Sequence, residues 1–265
     1  MPTHPLPTTL RQVRKARRLS QLELSLRLGV SQRHVSFVES GRAQPSRKLL
    51  MAWLQELEAP LVLCNEAMLQ AGYAPAYSNR RLDDPALAQI NAALQQLLCA
   101  HDPMPALVID AHWNLLALNQ GGQWLAATLM PWAANLGDTA PNLLDMLVHP
   151  EGFTKSIVNL SEVGPAFLAR LRREATVQPA LTPKVEAFAA LLRECIGDQT
   201  LDAAGSSSLA PVLTTRYTTP YGELAFFSMF TTFGTPQDIT LASLRVEHLF
   251  AADEATHAVL QAQVQ

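Results

Sequence analysis

The chain has 265 residues, 48% of them hydrophobic and 16% charged, with a formal net charge of -3; that is length enough for two compact domains. No stretch approaches the ~18 consecutive apolar residues of a spanning helix, and no signal-peptide pattern opens the chain, so a soluble cytoplasmic protein with no membrane insertion is expected. Residues 1–60 carry ten Lys/Arg against four Asp/Glu, a net of +6, whereas residues 61–265 carry ten against nineteen, a net of -9. A basic N-terminal module can approach phosphate, and a larger acidic one should not.

Residues 1–7 hold three prolines and read as a loose tail. Thr8 or Thr9 caps a first helix through LRQVRKARR, with Leu10, Val13 and the Arg17 stem on one side. Ser20 and Glu23 form a capping box for a second helix, in which Leu24 and Leu28 face inward and Gly29 closes the turn. Ser31 caps a short third helix with Val35 and Val38 inward, ended by Gly41. Pro45-Ser46 opens a fourth, with Leu49, Leu50, Trp53, Leu54 and Leu57 buried. The GVS link between helices two and three is short enough to force a helix-turn-helix corner. Gln32, Arg33, Ser36 and Phe37 then stand on the outer side of helix three, where Gln32 can pair with adenine and Arg33 with guanine.

Residues 61–100 read as a helical connector, including LVLCNEAMLQAGY and, behind the Asp84-Pro85 cap, ALAQINAALQQLLCAH. From residue 103 the period changes: PALVIDAHWNLLALN reads as a β-hairpin and QWLAATLM as a helix. Residues 140–200 read as mainly helical, and GDQTLDAAGSSS as a polar loop. PVLTTRYTTPYGELAFFSMFTTF gives two strands around Thr219–Gly222, and ITLASLRVEHLFA is either a further strand or a final helix. The expectation is an α/β domain with an antiparallel sheet and helices on one side.

Enzyme readings are weak. Asp253 and His257 are four apart but lack a third metal ligand at a convincing spacing. Cys64, Cys99 and Cys195 have no neighbouring histidine, and their helical apolar surroundings suit core thiols. Their odd number and wide spacing argue against a disulfide framework. GGQW lacks the strand and glycine spacing of a dinucleotide loop, and no Walker motif occurs. No catalytic residue, metal or cofactor is expected.

Residues 10–57 resemble the helix-turn-helix of phage-type repressors, the Cro/C1 or XRE class, through LRQVRKARRLSQLELSLRLGVSQRHVSFVESGRAQPSRKLL. The longer resemblance is to the MmyB-like regulators, through NEAMLQAGYAPAY, LDDPAL, PALVIDAHWNLLALN, LLDMLVHPEGF, IVNLSEV, RLRREA, TTFGTPQDITLASLRVEHLF and ADEAT, which together cover nearly the whole chain in order. It implies a multidomain regulator: an all-α helix-turn-helix DNA-binding domain over 8–60, the helical connector over 61–100, and a PAS-like α/β ligand-binding domain over 101–257. Small apolar molecules such as fatty acids are the ligands it implies.

Carried over by position, Gln21, Gln32, Arg33 and Ser36 are DNA-binding, and Ser31, Phe37, Arg42, Arg47 and Lys48 complete the candidate set. Gln21 is expected to donate to a phosphate and brace Gln32; Arg42, Arg47 and Lys48 are expected on the backbone. Arg14 and Glu39 match an ion pair tying helix one to helix three. Two positions depart from relatives: Phe37 replaces a polar base-reader and is open to a thymine methyl or to protein packing, and Ser25 replaces alanine. In the PAS-like domain Trp113, Trp124, Phe226, Phe227, Phe230 and Phe233 fall where sheet and helices enclose a core, with His112, Arg216 and Tyr217 as head-group contacts. A homodimer on an inverted-repeat operator follows from the small size of one reading head. The competing reading is a protein-interaction module, or a regulator whose C-terminal domain serves only dimerisation; loss of specific DNA retention in Arg33→Ala separates them.

Overall fold

The computed structural model describes residues 5–135, 141–197 and 212–264; the polar loop expected at GDQTLDAAGSSS lies almost wholly outside them. The chain divides into two compact units, one of residues 1–81 with 235–242, the other of 82–234 with 243–265.

The first unit is all-α. α1 (Leu6–Ala16) begins earlier than its expected threonine cap, because Pro7 suits the first helical turn. Thr9 is instead buried within the helix and donates to Gln70. α2 (Gln21–Leu28) has the full capping box: the Glu23 amide donates to Ser20 Oγ at 3.1 Å, and the Ser20 amide to Glu23 Oε2 at 2.8 Å. Gly29 ends it at φ 64°, a left-handed conformation that glycine adopts without a Cβ clash. α3 (Gln32–Glu39) and α4 (Arg47–Glu56) start at Ser31 and Ser46, whose hydroxyls accept from the third helical amides. Leu10, Leu24, Val35, Val38, Leu50, Trp53 and Leu54 form one core. α5 (Leu61–Gln70) adds Cys64, Ala67 and Met68 to that core. The stretch expected as one connector is therefore shared between the units, because the three- and four-residue spacing of α5 gives it a face to bury here.

This unit also contains a segment far away in sequence. Ser78 and Asp238 pair as a parallel bridge, the Ile239 amide donates to Ser78 O at 2.8 Å, and the Ser78 hydroxyl to Asp238 Oδ2 at 2.6 Å. Asp238 is buried, accepts also from the Thr240 amide, and has Arg80 at 3.8 Å.

In the second unit, Asp84 caps a short turn leading into α6 (Ala88–His101). The hairpin β1 (Ala106–Ile109) and β2 (Leu115–Leu118) turns at Asp110, whose Oδ1 accepts from the His112 and Asn114 amides. α7 (Gln120–Leu129) follows, then α8 (Leu143–Val148), α9 (Leu160–Val177) and α10 (Thr182–Ile196). β3 (Thr215–Thr219) and β4 (Gly222–Thr232) form the second hairpin. The ambiguous segment after it ends in the strand alternative, β5 (Arg245–Ala251), preceded by a short α11 (Ile239–Ser243) that falls almost wholly in the first unit; the final helix is α12 (Glu254–Gln263).

The five strands pair antiparallel in the order β2-β1-β5-β4-β3, a PAS-like sheet. Ile109 and Trp113 pack with Leu168, Leu171, Val185 and Phe188 of α9 and α10. Side chains alternate along β5, so His248 and Phe250 face away from Glu247 and Leu249. The His101 ring of α6 meets both at centroid distances of 4.8 and 4.9 Å. Helices therefore lie on both faces of the sheet, not on one. Gly121 and Gly122, the pair in GGQW, have a packing reason: a Cβ at the first would lie 2.3 Å from Pro103 O, and at the second 2.8 Å from Ala106 O.

Candidate functional site

The reading head is braced by one buried ion pair. Arg14 Nε meets Glu39 Oε1 at 2.7 Å and Nη2 meets Oε2 at 2.8 Å, while Nη1 donates to Leu19 O at 2.7 Å. The hydrogen bonds that Arg14 donates to Glu39, with the Glu39 charge, outweigh burial and raise the Arg14 pKa above its ordinary value. Gln21 donates to Glu39 Oε2 at 2.9 Å, so its amide braces this pair and not Gln32. Sequence spacing alone did not carry that contact, since it closes across 18 residues.

With α3 held by its buried Val35, Val38 and Glu39, the opposite side turns outward. Ser31, Gln32 and Arg33 are exposed, and Ser36 and Phe37 are half-buried. The Arg33 guanidinium lies 5.1 Å from the Phe37 ring centre and that of Arg42 at 5.9 Å. Phe37 thus has two cationic neighbours at the protein surface. Arg42 follows α3, and Arg47 and Lys48 sit in the first turn of α4, all three exposed. Their charges stand where a phosphate backbone can be met by cations and a helix N-terminus together.

The second unit encloses a cavity of about 800 Å³, within the range of small-molecule sites. Its wall is mainly apolar, from Leu107, Leu125, Leu144, Leu160, Phe167 and Phe188 among others. Of the residues expected to touch a ligand, Trp113, Tyr217 and Phe226 line it. Phe230 packs beside it, with the Arg170 guanidinium 4.0 Å from its ring centre. Trp124 lies against Tyr221 at 5.4 Å and joins the cluster around Leu125 and Leu260. His112 is exposed beside Gln178, and Arg216 is exposed and paired with Glu223 at 3.2 Å. Both stand off the wall for a geometric reason: the hairpin turn projects His112 outward, and strand alternation puts Arg216 on the opposite face from Tyr217.

Apart from Tyr217, the charged and hydroxyl groups at the cavity come from residues that the sequence does not single out. Glu247, Ser228, Arg170 and Arg173 all line it. Glu174 accepts from Trp113 Nε1 at 2.9 Å, Arg170 Nε at 3.0 Å and Arg245 Nη1 at 2.9 Å. Burial pushes the Glu174 carboxyl up, but the Arg245 charge and these three donors outweigh it and hold the pKa below the usual range. Glu247 goes the other way: burial raises it, against a Ser228 hydrogen bond and the charges of Arg170 and Arg245, with Glu174 adding to the rise. Tyr217 is raised by burial and then by the Glu247 charge. The available signal was a single carboxylate inside the alternating strand RVEHLF.

Of the thiols, Cys64 is buried and Cys99 and Cys195 are exposed, so only the first is a core thiol. Among the described residues, no group of three or more His, Cys, Asp or Glu is placed to hold a metal ion. No helix among them is long and apolar enough to cross a membrane.

An exposed third helix docked on a second across a left-handed glycine defines a helix-turn-helix DNA-binding protein, and residues 10–63 match the Helix-turn-helix family. Residues 90–262 match the family described as MmyB-like transcription regulator ligand binding domain. The chain belongs to the MmyB-like transcription regulators. Both matched modules are regulatory and not catalytic. Comparison with curated proteins returns no match.

Proposed function

We propose that this DNA-binding regulator acts in the cytoplasm as a homodimer on an inverted repeat and that a small hydrophobic ligand, such as a fatty acid, modulates it. Two α3 helices enter successive major grooves about one turn apart. Gln32 and Arg33 read base edges, Ser36 and the Phe37 ring follow one turn on, and Ser31, Gln21, Arg42, Arg47 and Lys48 position the head on phosphates. The observation that carries the ligand reading is the cavity of about 800 Å³ with its mainly apolar wall.

Selection from random duplex DNA with the full chain tests the DNA half. Arg33→Ala should relax one position of the enriched inverted repeat, a loss of about 1–3 kcal/mol there, while Lys48→Ala weakens all sequences alike and lowers the salt slope by about one. Identical motifs from wild type and Arg33→Ala would remove Arg33 from the reading set. Dodecanoate titrated into the selected complex tests modulation: a change in DNA affinity requires an equal reciprocal change in ligand affinity. No change in either would leave the second domain to dimerisation.

A further inference from the structure

The cavity places a carboxylic acid, Glu247, where an amphiphile's polar head must settle, and the charges around it are nearly closed. Glu247 lies on β5 between two apolar partners, Leu107 of β1 and Phe230 of β4. Ser228 on β4 stands diagonally across on the same face, and its hydroxyl favours the ionised carboxylate. The charged and titratable groups facing it are Arg170 and Glu174 of α9, Arg245 on its own strand and Tyr217 of β3. Arg173 also reaches the cavity but is exposed, so water screens it.

With Glu247 ionised, two guanidiniums face two carboxylates and the pole is neutral. A ligand ammonium would add positive charge beside Arg170 and Arg245. A ligand carboxylate would add a third negative charge, unless one carboxylate took up a proton. Glu174 is the wrong one, since three donors fix it in the ionised form. Glu247, held by one hydroxyl among apolar neighbours, is the one that yields.

Resting on the reading that the cavity takes an acyl amphiphile, we propose that the Glu247–Ser228 pole beside Arg170 binds a ligand carboxylate together with one proton, taken by Glu247. The protonated carboxyl then donates to the ligand carboxylate and Arg170 supplies the balancing charge. Ligand affinity thereby becomes pH-dependent through a residue of the protein and not of the ligand. The raised pKa of Glu247 agrees with this role.

The test is calorimetric titration of the full chain with dodecanoate, dodecanamide and dodecylamine from about pH 6 to about pH 9, in buffers of differing ionisation enthalpy. Wild type should bind dodecanoate with an affinity that falls towards tenfold per pH unit at the upper end, with uptake approaching one proton. The dodecanamide profile should be flat. Glu247→Gln, which keeps shape and a donor, should bind dodecanoate with a flat profile. Ser228→Ala, which removes the bond favouring the carboxylate, should shift the fall to higher pH and serves as the readout if Glu247→Gln does not fold. A flat wild-type profile, a slope that survives in Glu247→Gln, or tighter binding of dodecylamine than dodecanoate overturns the proposal and leaves the cavity reading standing. Failure of all three compounds to bind at every pH overturns both.

Discussion

Glu39→Ala isolates the strut of the reading head. The substitution removes both hydrogen bonds from Arg14 and the one from Gln21, and leaves the guanidinium with only Leu19 O. The side chains of Arg14 and Glu39 are 9% and 2% exposed, so water cannot replace the lost partner without opening the core. Breaking one side of a buried pair costs about 3–5 kcal/mol because the surviving charge is stranded. For a unit of this size each kcal/mol moves the midpoint by about 4–8 °C, so the helical unit should melt at least about 12 °C earlier. Far-ultraviolet circular dichroism of the full chain reads this as an early loss of helix. The companion variant carries Arg14→Met and Glu39→Leu together. Replacing the pair by apolar side chains strands no charge and should recover most of the loss, since such replacements are often neutral or stabilising. At temperatures where Glu39→Ala is folded, its selected DNA motif should match wild type, because Glu39 points inward. A shift below about 4 °C, equivalent to about 1 kcal/mol, would refute the stranded-charge reasoning. A double variant as damaged as the single one would show that geometry, not charge, is what the pair supplies.

Two further outcomes follow from the second unit. Glu174 has a depressed pKa, so its ionised form stabilises the fold above the ordinary carboxylate pKa of 4.5, and that stability is lost as pH falls through the lower folded value. Urea denaturation of Glu174→Gln should therefore show a deficit at neutral pH that narrows as the pH drops below this range; a deficit unchanged with pH would rule out the ionic contribution. Gly121→Ala drives a Cβ into the Pro103 carbonyl at 2.3 Å, a backbone neighbour that cannot swing aside. It should lower the second unit's stability by about 1–3 kcal/mol, as overpacking does, and leave the helical unit's melting unchanged; a neutral result would mean α7 is not seated as described.

What sequence made legible was local. The capping box at Ser20 and Glu23, the left-handed Gly29 and the inward spacing of Val35 and Val38 each depend on residues within one or two turns, and all appear in place. The outward side of α3 follows from the inward one. The cavity's polar pole was not legible, because it depends on register: Glu247 meets Ser228 only once β4 and β5 have paired across a long connection. Nothing local in the sequence gives His112 or Arg216 a face, and the strand period turns Arg216 away from the side of Tyr217. Cys99 sits in an apolar run yet is exposed, since Leu94 and Leu98 already occupy the buried side of its helix. Gln21 shows the same limit, being a polar side chain whose partner is fixed by packing and not by spacing.

The tie between Ser78 and Asp238 makes the helical unit discontinuous in sequence: its chain is residues 1–81 plus 235–242. Three peptide junctions, not one, separate the units along the chain. The inserted piece is the link between β4 and β5, the same strands that bring Ser228 and Glu247 to the cavity. A fragment ending near residue 81 would carry every base-reading side chain yet lack Asp238, the acceptor for the Ser78 hydroxyl. Whoever transplants this reading head onto another sensor moves an incomplete part, and a single protease nick after residue 81 would leave residues 235–242 of the helical unit on the other piece of the chain.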